Sequence, residues 1–96
     1  MTDTMMPVIR QMLDADGDAV RAGILLSTPV AVLLRYREQF ERACRLGRFD
    51  EGGEYLALLR IAQDSVRHDG LLPAPLAAEM ERARQDLVMI SQVAGI

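Results

Sequence analysis

Three places in the chain combine residue types that can do chemistry. Asp14, Asp16 and Asp18 alternate as the first oxygen ligands of an EF-hand calcium loop do, but Ala19 stands where that loop needs glycine and Leu25 where it needs a bidentate acid. His68, the only histidine, follows Asp64 by one helical turn, so the two can share a hydrogen bond, yet no second histidine or cysteine pair completes a ligand set. Cys44 lies between Arg42 and Arg45, a setting that favours a thiolate, but it also falls on an apolar helical stripe where a buried thiol packs as a small hydrophobe. Ser27, Ser65 and Ser91 have no recognisable base, and Gly47, Gly52 and Gly53 lack the Lys and Ser/Thr of a phosphate loop. The expectation is a protein that is not an enzyme and has no metal site or cofactor. The acids form an interhelical turn, and His68 serves the carboxyl end of a helix.

Those residues must be positioned by helices, because the apolar spacing is helical throughout. Leu76, Met80, Ala83, Leu87, Ile90 and Ala94 recur at steps of four and three, a seam that needs another helix against it. Pro29 opens a helix over 29–46 with Leu33, Tyr36, Phe40 and Ala43 or Cys44 on one stripe, Ser27 or Thr28 as its cap, and Gly47 ending it in a left-handed conformation. Glu38 with Arg42 and Glu41 with Arg45 are acid-before-base pairs on its outer side. Asp50 caps a helix over 51–68 that carries Tyr55, Leu58, Leu59, Ala62 and Val66 inward. Pro73 and Pro75 separate it from the last helix, 75–94. Residues 4–26, with Met5, Ile9, Met12 and Leu13 on one side, form one or two shorter helices broken at the acidic stretch. The reading is all-α: a single domain over 1–96, a small antiparallel bundle of three longer helices with the N-terminal segment packed across them or exchanged with a second subunit.

The stretch Leu46-Gly47-Arg48-Phe49-Asp50-Glu51-Gly52-Gly53-Glu54-Tyr55 resembles the turn inside a tetratricopeptide repeat, where a glycine, an aromatic residue and an acidic pair lead into the second helix. Gly52 falls where that family places a small Ala, the preceding helix lacks the family's spacing, and the chain has no second copy. What the resemblance implies is an αα-hairpin over about a third of the chain.

Composition narrows the function. Half of the 96 residues are apolar but only 4% are aromatic and none is Trp, so the core must be built from aliphatic side chains and methionine. A net charge of −3 argues against a general nucleic-acid or anionic-membrane binder. All 11 basic residues are Arg, an imbalance that reflects codon bias sooner than a phosphate site. The lone cysteine suits a reducing compartment, the N-terminal residues do not read as a signal peptide, and the longest uncharged run, 22–34, is too short to span a bilayer. The expected location is cytoplasmic.

The apolar residues of 30–34 and the second apolar side of the last helix exceed what a small three-helix core can cover. They mark Val30, Val32, Leu33, Leu34, Val88, Met89 and Val93 as partner-binding residues of a self-associating helical interaction module, a homodimer with a second protein as a further candidate partner. Two alternatives keep the same helices: a chaperone or adaptor of a secretion system masking an apolar client helix, and a dimeric nucleic-acid-binding regulator using Arg35, Arg42, Arg45 and Arg48.

Overall fold

A computed structural model describes residues 7–65 and 70–93. Within them the chain forms six helices and no strand: α1 (Pro7–Asp14), α2 (Asp18–Ser27), α3 (Val30–Arg35), α4 (Arg37–Leu46), α5 (Asp50–Asp64) and α6 (Ala74–Val93). The N-terminal segment is two helices, divided where Gly17 takes φ 142°, a backbone that side chains other than glycine's rarely tolerate. The helix expected over 29–46 is also two, because Tyr36 at φ −112° and ψ 32° leaves the helical region. No Gly or Pro marks that break. The next helix ends at Asp64, with Ser65 extended.

Helix starts rely on backbone geometry and charge in place of side-chain caps. The Thr28 hydroxyl donates back to the Ile24 carbonyl at 2.6 Å and the Ser27 hydroxyl to Gly23 at 2.8 Å, so both close α2 and neither caps α3, whose N-cap is Pro29. Asp18 and Asp50 lie inside the first turns of α2 and α5, where a carboxylate opposes the positive end of the helix dipole. Pro73 accepts the first bond of α6 from the Ala77 N–H, and Pro75 sits in the first turn, where its missing N–H costs nothing.

The termination of α4 differs from the expectation at Gly47. Phe49 N–H donates to the Cys44 carbonyl at 2.8 Å and Arg48 N–H to the Arg45 carbonyl at 3.1 Å, the paired bonds of a Schellman motif. The left-handed position is therefore Arg48, at φ 56°, while Gly47 remains right-handed. Gly47 instead makes room: a Cβ there would stand 2.6 Å from the guanidinium carbon of Arg21, which would have to shift. That guanidinium donates to the Ala15 carbonyl at 3.0 Å and pairs with Asp18 at 3.2 Å, holding a cation against the negative end of α4.

The core is one aliphatic cluster around two phenylalanines. Leu33, Phe40, Leu59, Ala62, Ala83 and Leu87 are buried as the periodicity predicts, while Met80 is only partly buried against them. Ile9, Met12, Ala22, Leu25, Ala43, Cys44, Phe49, Tyr55 and Leu56 are buried with them, and no polar or charged residue is buried among those described. The longest helix, α6, packs most extensively on α2 and next on α5, so the N-terminal segment is a wall of the core and not a strap across it. Ala22 and Ala83, both buried, keep side-chain bulk out of the interior faces of α2 and α6. Arg82 binds Glu79 and Asp86 on its own helix and reaches Glu54 of α5 at 3.3 Å, an exposed set worth little in stability but diagnostic of register. Because Glu51 also lies beside Asp86, Met89 and Ile90, α5 and α6 run antiparallel. The body is 19 Å thick along its shortest axis, about two layers of helices, which leaves most helices one face in solvent.

A non-glycine residue in the left-handed region costs roughly 1–2 kcal/mol. Arg48→Gly should therefore raise stability by about 0.5–1 kcal/mol after the entropy that glycine loses on folding, and Arg48→Ala should give no such gain; urea denaturation of the three proteins checks both.

Candidate functional site

The residues expected to bind a partner do not form one surface. Val30 is 48% exposed at the start of α3 and Met89 is 67% exposed on α6, whereas Val32 and Leu34 are half-buried against the core. Leu33 is fully buried and is excluded from any docking surface, because the stripe that carries it faces α5 and the core. Val88 is half-buried, and the side chain of Val93 lies outside what the structure describes. Val30 and Met89 lie on different helices, α3 and α6.

Arg35, Arg42, Arg45 and Arg48 are all exposed. The Arg35 guanidinium lies 5.6 Å from the centre of the Tyr36 ring. Glu41 is paired with Arg37 through two oxygens at 3.0 and 3.1 Å, not with Arg45, so the expected pairs of that helix are replaced by a partly buried one in the opposite order. Arg42 and Arg45 therefore project without an ion partner among the described residues, but Glu38 and Glu41 stand with them along the same shallow surface.

The candidate ligands do not converge. Asp14 and Asp16 are exposed and Asp18 is held by Arg21, and among the described residues no group of three or more His, Cys, Asp and Glu side chains gathers at a point. His68, Val66, Met5, Met6 and Ala94 lie outside the described residues. Cys44 is 2% exposed between Phe49 and Gly52; burial pushes its thiol from 9.0 up to about 11, only partly opposed by Arg21, and Glu41 and Asp18 push in the same direction as burial. The nearby cation is Arg21 from α2, not the flanking Arg42 and Arg45. Burial also raises the Tyr55 phenol, against a smaller lowering by Arg84. A neutral, enclosed thiol is a packing group.

Two surface features escaped the sequence reading. Ile9 and Leu13 of α1 and Leu46 of α4 line a shallow apolar groove that Gln39 and Arg42 complete. Across the hairpin, Met89 and Ile90 of α6 stand between Glu51 of α5 and Asp86. Leu46 at the end of α4 and Leu13 at the end of α1 are each legible as apolar residues, but only the packing of α1 on α4 brings them together.

No family model matches the chain, and neither curated proteins nor solved structures show significant similarity to it. The tetratricopeptide-like turn is thus an αα-hairpin between α4 and α5, with no wider family assignment.

Linkage gives the buried thiol a pH signature. Between pH 9 and 11 the unfolded chain has released a proton that the folded chain still holds, so rising pH favours unfolding; the stabilisation is full below pH 9 and lost as pH approaches 11. The stability advantage of the wild type over Cys44→Ala should shrink between about pH 8 and about pH 10.5 in urea titrations. An unchanged difference contradicts the assignment.

Proposed function

We propose that the protein is a small helical interaction module that binds a second copy of itself through exposed apolar side chains. The observation that supports it is the large apolar side chains left outside an interior that is itself apolar. No polar residue is buried among those described, yet Leu13, Val20, Val30, Leu46, Ile61, Leu71 and Met89 remain exposed. Scattered apolar residues are ordinary on any surface. Here Leu13 and Leu46 share one groove, and Met89 shares another with Ile90, so the exposure is grouped. A two-layer body has little interior to enlarge except by association, and helical faces can associate without opening any backbone hydrogen bond.

Catalysis has no part in the proposal, since the one thiol is buried and held protonated. A chaperone or adaptor role would use the same surfaces on a foreign client.

Sedimentation equilibrium of the purified protein at micromolar concentration should give a mass above the 10.7 kDa of one chain, rising with concentration. A monomer across that range contradicts self-association, and a stoichiometric foreign protein in the native complex would transfer the surfaces to a client.

A further inference from the structure

The two grouped apolar surfaces carry opposite charge. The groove of Ile9, Leu13 and Leu46 is bordered by Arg42, which has no ion partner among the described residues. Arg10, exposed and also without an ion partner among the described residues, lies one turn before Leu13 on the same side of α1. Met89, by contrast, projects beside two carboxylates. Asp86 is engaged by Arg82, whereas Glu51 is exposed and has no ion partner among the described residues. The one charged side chain lining the first surface is Arg42, with Glu38 and Glu41 on the adjoining surface; the second is lined by the carboxylates of Glu51 and Asp86.

We propose that these surfaces meet between two copies of the chain, with Met89 of one copy entering the Ile9–Leu13–Leu46 groove of the other and Glu51 facing Arg42. This rests on the reading that the protein self-associates, and it assigns the surface. Charge complementarity selects the occupant: a knob flanked by acids fits a groove bordered by Arg42. The unbranched thioether of Met89 can follow a shallow recess that a branched side chain would not fill. Topology permits two such contacts at once. Leu46 ends α4 and Glu51 lies in the first turn of α5, so the two surfaces are close along the chain, and the proposed dimer is two-fold, each copy's Met89 in the partner's groove. Both contacts then form in a closed dimer, without an open chain of subunits.

The experiment is a charge reversal read by sedimentation across concentration, with circular dichroism melts to verify that each variant is folded. Arg42→Glu and Glu51→Arg should each weaken self-association by roughly tenfold or more, and the double variant should recover most of the loss because attraction is restored with the signs exchanged. Leu46→Asp should weaken it as well, and every effect of charge should diminish at high salt. If the wild type associates and the single reversals leave it unchanged, or the double variant is as weak as the two losses combined, the assigned surface is wrong while self-association stands. A wild type that stays monomeric overturns both.

Discussion

The α4–α5 hairpin depends on one missing side chain. Gly52, in the first turn of α5, is buried where a Cβ would stand 2.7 Å from the Phe49 ring and 2.8 Å from the Cys44 sulfur. Phe49 is one of two phenylalanines in a core without tryptophan, and it can fold back onto Cys44 only because residue 52 offers no carbon in its way. The Schellman bond from the Phe49 N–H to the Cys44 carbonyl and the contact of the two side chains are the same closure, made once by backbone and once by packing. The tetratricopeptide family's small Ala at this place would not fit here.

That closure propagates outward. With α4 and α5 clamped at their shared end, Gly47 presents a bare backbone to Arg21, whose guanidinium ties the α1–α2 connection through Ala15 to the carboxyl end of α4. The Arg21 Nε is buried there without a hydrogen-bond partner, so part of the guanidinium's hydration is given up for this placement. The same clamp sets Leu46 beside Leu13 and directs Glu51 toward Met89, so the surfaces assigned to association are by-products of how the hairpin shuts. Interior and exterior are one problem in a body this thin.

Periodicity made much of this fold legible. The stripes through Leu59 and Ala62 and through Ala83 and Leu87 identify the buried faces, since each lies within a regular helix with apolar residues three or four apart, and Leu33 and Phe40 are both buried although the helix breaks between them. Phe49 was not legible as core because it lies between helices, where spacing carries no information. The break at Tyr36 has no Gly or Pro to announce it, and the Arg21–Gly47 contact joins residues far apart in sequence. The site was less legible than the fold for a related reason. Val30 and Met89 are exposed as their apolar surplus suggested, but surplus on a helix does not say which neighbour covers it, so Leu33 was counted with the surface although it is core. The groove between α1 and α4 and the pairing of Glu51 with Met89 exist only through tertiary packing.

The direct test of this account compares two adjacent glycines. A Cβ at Gly53 would meet nothing within 4 Å, so Gly53→Ala should gain roughly 1 kcal/mol from helix propensity alone. Gly52→Ala has the same gain in propensity but must displace the Phe49 ring and the Cys44 sulfur, an overpacking cost of about 1–3 kcal/mol. Urea denaturation should therefore place Gly53→Ala above the wild type and Gly52→Ala below it. A Gly52→Ala protein as stable as Gly53→Ala would contradict the claim that the hairpin closes over a space only glycine leaves open.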